Sequence, residues 1–105
     1  MLVVLLLALA APNPQTLAQP RKNYVACLKR FENKALDDKM EVAAYSVAIK
    51  SACQAEAAAM SKALVDYDVA MGTKRAAAAA NAAIDLADYV ATSDERFRDS
   101  RAPPK

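Results

Sequence analysis

Between Pro20 and Pro103 the chain has no proline, and its one glycine, Gly72, falls inside that span. A stretch so poor in turn-making residues reads as helix almost throughout. Alanine, the strongest helix former, supplies about a quarter of the chain. The 105 residues are enough for one domain. The expected fold is all-α: an antiparallel helical hairpin closed by one disulfide, plus a third long helix, together a small three-helix bundle.

Apolar periodicity places the three helices. Tyr24, Cys27, Leu28, Phe31 and Ala35 lie at steps of three and four, so the first helix is expected over about 21–36. Asp37 and Asp38 either turn the chain or cap the second helix. That helix is expected over about 40–71, on a stripe from Val42, Tyr45, Ile49 and Cys53 through Met60, Leu64 and Tyr67 to Met71. Gly72-Thr73 would end it and cap a third helix over about 74–98. The charges dissent, because Asp66 and Asp68 before Gly72 and Lys74 and Arg75 after it all oppose the helix dipoles. An unbroken helix from 40 to 98 is the alternative, and its second half would need a partner chain.

On the third helix Asn81, Asp85, Asp88, Thr92, Glu95 and Asp99 form a polar stripe. Ala80, Ala83, Ile84, Ala87, Val90, Ala91 and Phe97 lie away from it and are expected to face inward, with Ile84 near Met60 and Ala80 near Leu64. Residues 99–105 are expected to be a frayed tail. Tyr24, Tyr45, Tyr67 and Tyr89, each with Val-Ala close behind it, form a faint echo. It reads as a duplicated unit, a row of aromatic contacts, or composition alone.

Cys27 and Cys53 lie thirteen residues either side of Met40, each on the inward stripe of its helix. A hairpin turning near Met40 would bring them level, and Ala26 and Ala52 beside them permit the close approach a disulfide needs. Closing such a loop stabilises a fold by roughly 3 to 4 kcal/mol in the chain-entropy model. Redox catalysis, the rival reading, usually places its thiols in a Cys-x-x-Cys motif at a helix N-terminus. Here both are expected in mid-helix and far apart in sequence.

Residues 2 to 11, Leu-Val-Val-Leu-Leu-Leu-Ala-Leu-Ala-Ala, are uninterruptedly apolar. A membrane span takes roughly 20 such residues, whereas a run of this length suits the core of a signal peptide. Residues 1–18 are expected to be that peptide, cut near Ala18 with Thr16 two positions before it; Ala8-Leu9-Ala10 is a second candidate site. No Lys or Arg precedes the run, which is atypical, and no cysteine lies at its end for lipid attachment. The expected location is periplasmic or secreted, where a cysteine pair oxidises. The remaining domain is expected over 19–98.

Chemistry is mostly excluded by composition. No histidine is present, which removes the commonest general base, the usual triads and mixed zinc sites. Two cysteines alone do not complete a structural zinc site, and one glycine cannot build a phosphate loop. Asp85 and Asp88 share a helix face, as surface carboxylates often do. No enzyme activity, catalytic residue, metal or cofactor is expected.

The 14 basic and 12 acidic residues give a net charge of +2, too mild to require nucleic acid. Arg21, Lys22, Lys29, Arg30 and Lys34 nevertheless concentrate positive charge on the first helix. They are candidate contacts for a partner protein or envelope component, or alternatively for anionic lipid at a membrane surface. The plain reading is a solvated face set against the acidic stripe of the third helix. The five-alanine run 76–80 contributes little buried area and is a weaker candidate surface. The sequence thus describes an exported helical protein that binds another macromolecule, or acts as a structural or inhibitory component, without catalysing a reaction.

Overall fold

The structure, a computed structural model, describes residues 13–102. The apolar run 2–11 and residues 103–105 lie outside them. The described chain is all-helical: α1 (Gln15–Asp37), α2 (Val42–Ala48), a 3₁₀ turn (Ile49–Ser51), α3 (Gln54–Ala70) and α4 (Arg75–Arg101). The expected hairpin is present, with α1 as one arm and α2 through α3 as the other. Helix α4 runs back along both arms, packing on α3, α1 and α2.

Each chain reversal uses the same backbone device. At the end of α1, Met40 N–H bonds to Ala35 C=O and Lys39 N–H to Leu36 C=O, with Lys39 in the left-handed region at φ 56°. At the end of α3, Thr73 N–H bonds to Asp68 C=O and Gly72 N–H to Val69 C=O, with Gly72 at φ 102°. Both are Schellman motifs, which satisfy carbonyls that a helix end otherwise leaves unpaired. The break at Gly72 agrees with the expectation drawn from the sequence. Thr73 does not cap α4, however: the N-cap is Lys74, with no side-chain hydrogen bond to the helix.

The first helix starts earlier than expected. Asn13 Oδ1 accepts the Gln15 N–H and Asn13 C=O accepts the Thr16 hydroxyl, so the opening turn is anchored ahead of Pro20. Pro20 lies inside α1, and Ala18 lies in its first turns. The last helix also runs longer, to Arg101 rather than 98. Arg98 and Arg101 sit favourably at its negative end, and Arg98 pairs with Asp94 one turn back.

The second expected helix is not continuous. It stops in the 3₁₀ turn, Ala52 is extended (ψ 150°), and Cys53 takes φ 60° before α3 begins. No proline or glycine marks this break. Left-handed backbone costs a non-glycine residue about 1 to 2 kcal/mol, so tertiary forces maintain it. The break lets Tyr45 and Ile49 on one side, and Met60 and Leu64 on the other, reach a common core.

That core comprises Tyr24, Leu28 and Ala35 of α1, Tyr45, Ile49, Met60 and Leu64 of the second arm, and Ala82 and Phe97 of α4. Tyr45 and Phe97 stack at 3.9 Å, nearly parallel, and Tyr24 meets Tyr89 edge-on at 5.7 Å. The tyrosine echo therefore does not form a row. The inward face of α4 also differs from the expected one. Ala78, Ala82, Ser93 and Phe97 are buried and Leu86, Tyr89 and Val90 partly so, while Ile84 is 61% exposed and Ala80, Ala83, Ala87 and Ala91 are exposed. The polar stripe from Asn81 to Asp99 does face solvent. Met71, expected on the inward stripe, is exposed.

Replacing Gly72 by Ala should cost about 1 kcal/mol or more in urea denaturation, while Lys39→Gly should stabilise by a comparable amount. No atom lies within 4 Å of a Cβ built on Gly72, so the first cost would be conformational. Reducing the disulfide should lower the thermal midpoint by more than about 10 °C. In that reduced background Cys53→Gly should be more stable than Cys53→Ala.

Candidate functional site

Cys27, in the middle of α1, is joined to Cys53 across a Cα separation of 6.0 Å. The pairing expected from the spacing about Met40 is present. The expected setting of Cys53 is not: it is the N-cap of α3 rather than a mid-helix residue. Helix N-termini lower thiol pKa values, but there is no Cys-x-x-Cys partner here. The Glu56 carboxylate lies within 4.8 Å of both sulfurs. With the sulfurs bonded to each other, only that carboxylate is left to offer a cation, fewer donors than a protein metal site uses.

Beneath the stacked aromatics runs a chain of polar groups that the periodicity did not reveal. Ser93, fully buried, donates to Glu32 Oε1 at 3.3 Å. Its single hydroxyl proton is thereby used, so the Tyr45 hydroxyl 2.7 Å away donates to Ser93 Oγ. Arg96 closes the chain from the protein edge, with Nε and Nη2 each 3.1 Å from Glu32 Oε1. Burial pushes the Tyr45 phenol above its ordinary value, against the Ser93 bond, and burial likewise raises Tyr24. Every buried side-chain polar atom among the described residues has a partner. The cluster is satisfied from its buried end at Tyr45 to Arg96 at the protein edge, and it ties α1, α2 and α4 together. The available signal was Glu32 itself, a carboxylate four residues after Leu28 on an apolar stripe.

A groove of about 700 Å³ opens between the 3₁₀ turn, α3 and α4. Tyr24, Ile49, Leu86 and Val90 make it apolar at one end, and Ser46, Lys50, Asp94 and Arg98 make it polar at the other. Ser46 donates to Asp94 Oδ1 at 2.6 Å; Arg98 Nε donates to Asp94 Oδ2 at 3.1 Å, and Arg98 Nη2 to Ser46 at 2.9 Å. The Ser46 bond is the main reason that Asp94 sits below the usual carboxylate range; burial opposes it, and Arg98 adds to it. The sequence singles out none of these groove residues as a site.

The five basic candidates are all exposed. Arg21 donates to the Tyr89 hydroxyl at 3.0 Å, and Lys34 pairs with Asp38 at 3.1 Å. Lys22, Lys29 and Arg30 point away from the core, and no ion pair engages them among the described residues. The expected opposition of this face to the acidic stripe of α4 is met only loosely. Lys29 and Asp88 border one shallow groove without pairing. The ion pair between α1 and α4 has the opposite sense, with Glu32 on α1 and Arg96 on α4.

Arg96→Ala, which strands the nearly buried Glu32, should cost about 1 to 3 kcal/mol by denaturant unfolding. Tyr45→Phe and Ser93→Ala should together cost less than the sum of their separate effects. Because the folded state lowers the Asp94 pKa, the stability it contributes is present above about pH 4 and is lost on further acidification. Ser46→Ala should bring its titration, measured by carboxyl NMR, back toward 3.8 and flatten that acid loss. Compared with protein-family models, curated proteins and solved structures, the chain matches none of them.

Proposed function

We propose that this is an exported, non-catalytic helical protein that engages a macromolecular partner, a protein or another envelope component, through the outward ridge of α1. The observation that carries the reading is the set of cations Lys22, Lys29 and Arg30, held on a rigid helix without counter-ions among the described residues. Charge that the fold does not use is available for recognition, and it raises encounter rates with acidic surfaces. Arg21 and Lys34 flank the ridge with their charges partly engaged.

Export is supported by the apolar run 2–11 and by the cross-link, which persists in oxidising compartments. A cut after Ala18 would leave Pro20 in the opening turn of the shortened helix, where proline is tolerated. No helix among the described residues is long and apolar enough to cross a membrane. A second reading, in which the same ridge lies on anionic lipid, is favoured by its lack of counter-ions as well.

The triple variant Lys22→Glu, Lys29→Glu, Arg30→Glu tests the site. The oxidised wild-type chain should recover a specific partner from envelope extracts, identified by mass spectrometry, and the variant should lose it while keeping its helicity. Equal recovery by both chains would overturn the assignment. Sedimentation with anionic vesicles at low and high salt separates the two readings, since only a lipid-binding ridge gives salt-sensitive pelleting that the variant abolishes.

A further inference from the structure

The groove between the 3₁₀ turn, α3 and α4 changes character in one direction along α4. Leu86 and Val90 line its apolar end, and Asp94 and Arg98 its polar end. At about 1.5 Å of rise per residue, Leu86 and Arg98 stand about 18 Å apart. Its 700 Å³ and its mostly apolar lining with a few polar groups fall within the range of small-molecule sites. We infer that it binds a single-headed anionic amphiphile, a long-chain carboxylate, with its tail over Tyr24, Leu86 and Val90 and its head group at Lys50 and Arg98.

Charge complementarity selects this occupant. Asp94 is already held by Ser46 and Arg98, so Lys50 and Arg98 against Asp94 leave one positive charge at the head-group end. Lys50 is exposed and has no ion pair among the described residues. A monoanionic head group balances that excess, and charge-assisted hydrogen bonds to a carboxylate are among the stronger polar contacts. No charged residue lines the opposite end, where Tyr24 and Ile49 form a buried floor. Ala87 and Ala91, small and exposed on the α4 wall, leave the trough open to a chain. The residues involved are distinct from the α1 ridge, so the two assignments stand or fall separately.

Titration of the full oxidised chain with cis-parinarate, a long-chain carboxylate that fluoresces in apolar surroundings, provides the test. Binding should saturate at one equivalent and be displaced by dodecanoate, with dodecanol at least about tenfold weaker as a competitor. Lys50→Glu should weaken binding about tenfold, and Ala91→Phe, at an exposed position, should block the trough. Lys74→Glu, exposed at the far end of α4 and outside the groove, should leave it unchanged, and circular dichroism should show all three variants as helical as the parent. Four results would each overturn the inference: no saturable binding, equal competition by dodecanol, indifference to both groove substitutions, or a ligand-induced doubling of mass showing a site shared by two copies. Binding confined to anionic phospholipid vesicles, with monomeric carboxylates ignored, would overturn it too.

Discussion

A covalent bond between Cys27 and Cys53 is attached where the second arm of the hairpin changes direction. Cys53 takes a backbone conformation that no side chain other than glycine's adopts without cost, and helix α3 starts from it. The cross-link fixes that interruption against α1, which sets the angle at which α2 and α3 present their apolar residues. Tyr45 and Ile49 on one side of the break, and Met60 and Leu64 on the other, are consequently buried in one core. A straight helix through the same residues would place its inward stripe along one line, without this change of direction.

The core that results is small and unusually mixed. Aromatic stacking between Tyr45 and Phe97 covers a polar chain from Tyr45 through Ser93 and Glu32 to Arg96. Large side chains supply the area that alanines cannot, and the satisfied hydrogen bonds fix which way α4 rotates. Alanine along much of α4 packs at Ala78 and Ala82 and otherwise faces solvent. With the interior occupied in this way, the α1 charges and the groove are left on the surface of the described residues.

Much of this is legible in the sequence. The scarcity of proline and glycine implies helices, the positions of Cys27 and Cys53 about Met40 imply their pairing, and Gly72 implies a turn. Three features are not legible, each for its own reason. The interruption at Ala52-Cys53 has no helix breaker, because packing and the cross-link impose it against local preference. The rotation of α4 is hidden because alanine, crowded into 76–91, makes several faces of that part equally apolar; the deciding residues, Ser93 and Phe97, lie beyond it. Glu32 reads as one more surface charge, since a carboxylate on an apolar stripe announces itself only once its donors are known. The groove joins residues from Tyr24 to Arg98, a constellation that only the folded chain assembles.

The course of the chain also has a mechanical consequence. With α1 and α4 parallel and α3 between them in sequence, Gln15 and Arg101 lie at opposite ends of the bundle, and Arg101 sits beside Glu41 at the first reversal. Tension applied between those two residues would load the helices in shear along their axes, the direction in which packed side chains resist together. The segment enclosed between the two sulfurs could not lengthen under that load. Pulled at those two points, the bundle would resist extension along its whole packed length at once rather than one helix at a time.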